Sequence, residues 1–288
     1  MTRSRGIGRD WAKGRVAADD PRIAKRAWSK GLTAATDARV ARAAAAHRGM
    51  TYQRRTPIEE CRWSGGRRRT VAPEWSAEMA YAVGLIATDG CLLRTRKQIG
   101  FVSRDRELVE TFLRCLGSEP ILRTDRTRLG NPVFRVQFGD AVLYRWLIAV
   151  GLTPRKSLTL GGIDVPGEFL LPLVRGLLDG DGTILNKVYR ADTRDRQDYW
   201  WELLQTKFVS GSRPHLEWLR GRLKETLAVD GYLQTRSPDP PRHPVSELRY
   251  GKRDSLVLLR RLYADPFAPR LERKWRIWND YSRRHPPA

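Results

Sequence analysis

Apolar and polar residues sort along this chain with two different periods. From residue 133 to 138 they alternate: Phe134, Val136 and Phe138 fall on one side of an extended segment, and Arg135 and Gln137 on the other. Residues 246–250 repeat the device, with Leu248 and Tyr250 opposing Glu247 and Arg249. Two other stretches are mostly apolar, residues 81–90 (YAVGLIATDG) and 173–182 (LVRGLLDGDG). Both read as buried helices with a small residue near the middle. Each runs through Asp-Gly into a β-like segment.

The same patterning predicts two similar half-domains. The first spans 74–157: a helix at 76–88, a hairpin of 91–95 and 98–103 turning at Arg96-Lys97, and a helix at 106–116. A second hairpin follows, near 121–124 and 133–138, turning around Gly130-Asn131, then a helix at 140–150. The second spans 166–284: a helix at 168–178, a hairpin of 183–190 and 199–210 with a charged tip, and a helix at 215–227. Strands at 232–236 and 245–250 and helices at 253–263 and 271–283 complete it. Both halves give α-β-β-α-β-β-α. The predicted class is α+β, with a four-stranded antiparallel sheet in each half, packed on helices by one face and free on the other. Phe101-Val102-Ser103 after the first apolar helix matches Phe208-Val209-Ser210 after the second, and Arg155-Lys156 matches Arg273-Lys274. A unit of about 90 residues present twice is a duplicated half-domain, since solenoid repeats are shorter.

Charge narrows the partners. The 288 residues carry 54 Lys and Arg against 32 Asp and Glu, a net charge of +22. That balance on an otherwise globular composition points to nucleic acid. No membrane partner is expected: the basic residues are not gathered on one amphipathic helix, and no apolar run approaches the roughly 18 residues of a span. The basic N-terminus lacks the core of a signal peptide, so the expected place is the cytoplasm, at DNA. Cys61, Cys91 and Cys115 form no CxxC pair and the four histidines are scattered, which leaves out zinc fingers and His-Asn-His nucleases.

Asp89 and Asp181 end the two apolar helices at equivalent places. A helix C-terminus carries partial negative charge and disfavours a carboxylate, so two such aspartates imply a cation. Gly90 and Gly182, which follow them, are expected to supply the left-handed residue that ends a helix. Gly84 and Gly176 permit the two helices to pack side by side. The aspartates then approach each other and cannot both ionise unless a metal compensates. Oxygen ligands and a phosphate substrate suit Mg²⁺, or Mn²⁺. On the sheets, Arg135, Gln137, Glu247 and Arg249 form faces that can read base edges in a major groove. Arg94, Arg96, Gln98, Arg123, Arg126, Arg128, Lys187, Arg190, Gln205, Lys207 and Arg236 are further candidates, some of them for phosphates.

The two apolar motifs resemble those of LAGLIDADG homing endonucleases in the form with both motifs on one chain. Gly84, Leu85, Ile86, Asp89 and Gly90 match in the first copy, and Gly176, Leu177, Asp179, Asp181 and Gly182 in the second. Ala87-Thr88 departs from the pattern. The resemblance covers about 74–284 and implies pseudo-twofold half-domains with saddle-shaped sheets. It implies Asp89 and Asp181 as metal ligands and catalytic residues, assisted by the Gly90 and Gly182 carbonyls. Lys156 and Lys274 match its active-site basic position, and Ser103 and Ser210 its water-ordering polar position. The implied activity is metal-dependent, double-strand cleavage of a long asymmetric DNA site by a monomer, in a bacterial or phage-infected cell. The alternative is a binder without catalysis: an intron maturase on RNA, or a DNA-binding regulator.

Residues 1–70 form a basic N-terminal extension, with 18 Lys and Arg against 6 Asp and Glu. They hold a tandem 17-residue repeat, WAKGRVAADDPRIAKRA then WSKGLTAATDARVARAA. Each unit reads as a Trp-anchored Lys-Gly turn and a short basic helix starting near an Asp. Residues 28–49 resemble small modular DNA-binding motifs that accompany homing nucleases. Trp11, Lys13, Trp28, Lys30, Arg39 and Arg42 are its candidate DNA contacts. Residues 61–70, with Gly65-Gly66-Arg67-Arg68-Arg69, read as a linker.

Overall fold

The computed structural model describes residues 73–286, apart from 95–96, 118–119, 128, 191–199 and 238–242, together with a few residues between 35 and 69. Two compact units divide the chain, Met1–Arg55 and Thr56–Ala288. In the first, the described residues are a turn at Ala35 and Thr36 and a piece of helix after Asp37, whose carbonyl accepts from the Ala41 amide at 2.9 Å. Arg42 is exposed there. Trp11, Lys13, Trp28, Lys30 and Arg39 lie outside the described residues, as do Arg96 and Arg128.

In the second unit, a short pairing of Cys61–Arg62 with Arg68–Arg69 precedes the main elements. These are α1 (Ala77–Thr88), β1 (Gly90–Leu93), β2 (Gln98–Ser103), α2 (Arg106–Cys115), β3 (Arg123–Arg126), β4 (Pro132–Gly139) and α3 (Ala141–Ala149). Then follow α4 (Leu170–Asp179), β5 (Thr183–Arg190), β6 (Trp200–Ser210), α5 (Arg213–Leu227), β7 (Tyr232–Arg236), β8 (Val245–Tyr250), α6 (Lys252–Leu262) and α7 (Glu272–Arg284). The predicted order is thus observed in both halves. Two antiparallel sheets result, ordered β1-β2-β4-β3 and β5-β6-β8-β7.

Local chemistry places the boundaries. Ser76 caps α1 by accepting the Met79 amide at 3.0 Å, and Asp140 caps α3 by accepting from Val142 and Leu143. Gly130 takes φ +81° in the β3–β4 turn, a conformation that favours glycine. Alternation holds in the strands. Val136 and Phe138 are buried while Arg135 and Gln137 are exposed; Leu248 and Tyr250 are buried beside half-buried Glu247 and Arg249. The inward residues of both sheets and the apolar helices form one core. α1 and α4 lie at its centre, consistent with helices that are apolar around most of their circumference.

Candidate active site and nucleic-acid interface

The two motif helices touch backbone to backbone. A Cβ on Gly84 would meet the Leu177 amide nitrogen at 2.8 Å and the Gly176 Cα at 2.9 Å, with the Leu173 carbonyl closer still. A Cβ on Gly176 would collide with the Tyr81 carbonyl. The contact persists to the helix ends, where a Cβ on Gly180 would overlap the Thr88 side chain. Asp89 and Asp181 follow directly, so the packing of α1 on α4 brings them to one place.

Gly90 and Gly182 do not take the left-handed conformation expected of them; among the described residues only Gly117, Gly130 and Gly151 are glycines with positive φ. Their service is closeness. The chain doubles back over the last helical turn, and a Cβ on Gly90 would meet Ile86 Cα at 2.6 Å, one on Gly182 the Leu178 carbonyl at 2.6 Å.

Both lysines are buried at these helix ends. Lys156 is 5% exposed, and its Nζ donates to the Gly90 carbonyl at 2.6 Å and the Thr88 carbonyl at 3.4 Å. Lys274 is 4% exposed, and its Nζ donates to the carbonyls of Leu178, Asp179, Gly180 and Gly182 at 2.7, 2.9, 2.9 and 2.6 Å. Each ammonium caps the negative end of a motif helix. The Gly90 and Gly182 carbonyls, expected to assist a metal, therefore have lysine partners. Burial lowers both lysines, Lys274 to about 8, against the pull of nearby carboxylates.

The aspartates themselves are not neutralised. Asp89 is half-buried, and burial, then the charge of Asp181, raise its carboxyl to about 6 although Lys274 and Lys156 oppose the shift. Asp181 is exposed at the surface, yet loss of solvent around it raises its carboxyl too. Two hard oxygen donors short of positive charge fit a divalent cation such as Mg²⁺, which commonly takes one or two carboxylates and completes its shell with water and substrate phosphate. Among the described residues no third His, Cys, Asp or Glu joins them in a metal-sized group.

Sequence reasoning matched Asp179 to the second motif but gave it no role. It is 1% exposed and accepts from Tyr81 Oη at 2.8 Å, Tyr263 Oη at 3.4 Å and the Leu271 amide at 2.7 Å. Burial raises its carboxyl to about 6. Buried Arg175, four residues earlier, donates to the Leu262 carbonyl at 2.7 Å.

The outward sheet faces gather most of the remaining candidates. On the first, Arg123 lies opposite Arg135, Gln137 donates to Gln98 at 2.7 Å, and Arg135 pairs with Asp125 at 3.3 Å. On the second, Lys187, Gln205, Lys207, Arg236, Glu247 and Arg249 share one face by register, with Glu247 held between Arg249 at 2.5 Å and Lys207 at 3.7 Å. Arg94 is exposed after β1.

Four candidates fall elsewhere. Arg126 pairs across with Pro132, off the Arg135 face, and donates to the Gly130 carbonyl. Arg190 pairs with Trp200 on the helix-side register and lies 6.0 Å from that ring's centre. Ser103 and Ser210 share the helix-facing register of Phe101 and Phe208. Each accepts the amide two residues on, from Asp105 and Ser212, and so shapes the turn into the next helix.

No protein-family model matches the chain. It is similar to a component of the A-type ATP synthase of Methanopyrus kandleri, 28% identical over 136 residues, which is 46% of this chain and 13% of that protein. Thus the chain spans about an eighth of that relative's length. Among solved structures it is similar to homing endonuclease I-DmoI in mesophilic variants (13% identity, TM-score 0.43, 66% of this chain and 96% of that one). The I-DmoI complex with DNA and Ca gives 13%, 0.45, 70% and 97%, and full-length DUF199/WhiA from Thermatoga maritima 13%, 0.44, 75% and 64%. At these scores the fold rests on the chain's own strand order and helix contact.

Proposed function

We propose that this chain is a LAGLIDADG-type, site-specific DNA endonuclease that hydrolyses both strands of a long asymmetric site. The observation that carries the reading is the junction of α1 and α4, where Asp89 and Asp181 meet with raised carboxyls beside lysines that do not pair with them. A bound Mg²⁺ or Mn²⁺ would supply an activated water and charge for the leaving oxygen. Asp89 and Asp181 hold that charge in place. Lys156 and Lys274 fix the turns that carry the aspartates and add positive potential toward a phosphate. The outward sheet faces lie along the duplex, Arg135 and Gln137 reading one half-site and Glu247 and Arg249 the other. Residues 1–70 add phosphate contacts. Both motifs are on one chain, so the active species is a monomer.

One observation favours the second reading, a binder of DNA or intron RNA without cleavage: the negative helix ends already have cations, the two lysines. Incubation with a randomised duplex library and Mg²⁺ separates the readings. Selective cutting by the parent, lost in Asp89→Asn and Asp181→Asn with binding retained, is expected. Full cutting by either variant would remove the mechanism, and binding without cutting by the parent would leave the binder.

A further inference from the structure

We propose that Asp179 is a positioning residue: a buried latch that sets the first turn of α7, and through it Lys274, over the turn that carries Asp181. None of the three donors to its carboxylate comes from its own helix. Tyr81 reaches across from α1 in the first half. Tyr263 closes α6. The Leu271 amide is one of the unpaired N–H groups that begin α7, where helix polarity favours a carboxylate. Lys274 lies three residues on, close to one turn, and its ammonium returns to the Asp179 carbonyl at 2.9 Å. The circuit is closed: the Asp179 side chain holds α7, and α7 holds the Asp179 backbone. Arg273 clasps the same turn from outside by pairing with Asp105 of the first half at 2.9 Å. Ala87 occupies the corresponding place in the first motif, and Lys156 there reaches only two carbonyls. The latch is therefore one-sided.

The test reads Lys274 directly. In the parent, Lys274 and Lys156 are both shielded from acylating reagents, with peptide mass spectrometry as the readout. Asp179→Leu fills the volume but accepts nothing. Losing a charge-assisted bond at α7 increases the open population, so Lys274 is expected to acylate roughly ten- to a hundredfold faster, with Lys156 unchanged. Asp179→Asn keeps an acceptor for Leu271 and restores most of the protection. Equal protection of Lys274 in a folded Asp179→Leu protein overturns the proposal, as does an Asn variant as open as the Leu variant. Should Asp179→Leu fail to fold, Tyr81→Phe removes one donor at almost no change in volume. A faster Lys274 reaction is again expected, by a smaller factor, and an unchanged one refutes the latch. The proposal rests on the endonuclease reading only for the role of Asp181. Acylation needs no cleavage, so failure of either is recognised separately.

Discussion

Gly84→Ala sets two effects of opposite sign against each other at the centre of the molecule. Alanine is the better helix former by about 1 kcal/mol. Its methyl, however, would enter the backbone of α4, 2.8 Å from the Leu177 nitrogen and 2.9 Å from the Gly176 Cα. Those atoms cannot rotate away, so the helices must part by roughly 0.6–1 Å to restore an ordinary contact. Overpacking of this kind costs about 1–3 kcal/mol, and more where backbone must move. The net expectation is a loss of at least about 1–2 kcal/mol, lowering Tm by roughly 2–8 °C for a domain of this size. Gly221→Ala is the control: it too lies inside a helix, α5, but nothing stands within 4 Å of its Cβ. That substitution should raise stability. Thermal unfolding followed by circular dichroism compares them. Gly84→Ala and Gly176→Ala together should cost less than the sum of the two, since parting the helices once admits both methyls. A Gly84→Ala protein as stable as Gly221→Ala would refute the close-approach argument and with it the placement of the aspartates.

Lys274→Met keeps the stem and removes the donors, leaving four buried carbonyls with one partner fewer; a loss of roughly 3 kcal/mol in chemical denaturation is expected. Lys156→Met, with two carbonyls, should lose clearly less, and the reverse order would contradict the capping geometry. The pH profile carries a paired signature. Proton and cation compete for Asp89, so the Mg²⁺ concentration needed for half-maximal cleavage should rise as pH drops through about 6. The folded protein holds that proton more tightly than the unfolded chain, whose carboxyl titrates near 3.8. Its contribution to stability is present at low pH and lost as pH rises through about 6, opposite to cation binding. A Mg²⁺ requirement unchanged between pH 5 and pH 7 would remove Asp89 from the role given to it.

What the sequence made legible was local. Period-two alternation assigned Arg135 and Gln137, and Glu247 and Arg249, to outward faces, because a strand's neighbours in sequence are also its neighbours on the sheet. The same rule applied to Ser103 and Ser210 places them beside Phe101 and Phe208, on the helix side. Both are half-buried, and Ser210 lines one small cleft with Asp181 and Thr88, so the helix-side register does not remove it from the helix junction. The role of Asp179, though the residue itself matched the motif, was illegible for the converse reason. Its partners Tyr81, Tyr263 and Leu271 stand 98, 84 and 92 positions away, and no spacing along the chain joins them. Gly90 and Gly182 were legible as required glycines but not in their use. A glycine that permits positive φ and one that permits close approach look alike until the strand is seen folding back over the helix.

The cation demanded by two carboxylates at helix C-termini turns out to be two separate demands. One comes from the unpaired carbonyls, and lysine meets it: the ammoniums of Lys156 and Lys274 sit on those carbonyls, with helix polarity in their favour. The other comes from the side chains of Asp89 and Asp181, and lysine does not meet it. The hydrogen bonds of both ammoniums go to backbone carbonyls, and their charge reaches the two carboxylates only through space. Burial, then the charge of Asp181, raise the Asp89 carboxyl to about 6, with Lys274 and Lys156 opposing the shift. The fold thus uses two buried lysines and two backbone-contact glycines to bring two acids to one junction, where the charge of Asp181 adds to the rise of the Asp89 carboxyl. A protein that only bound nucleic acid would be better served by asparagine at both places, which would relieve the repulsion and soften the negative potential facing a phosphate. On the proposed endonuclease reading, a divalent cation arriving with the substrate would offset that charge.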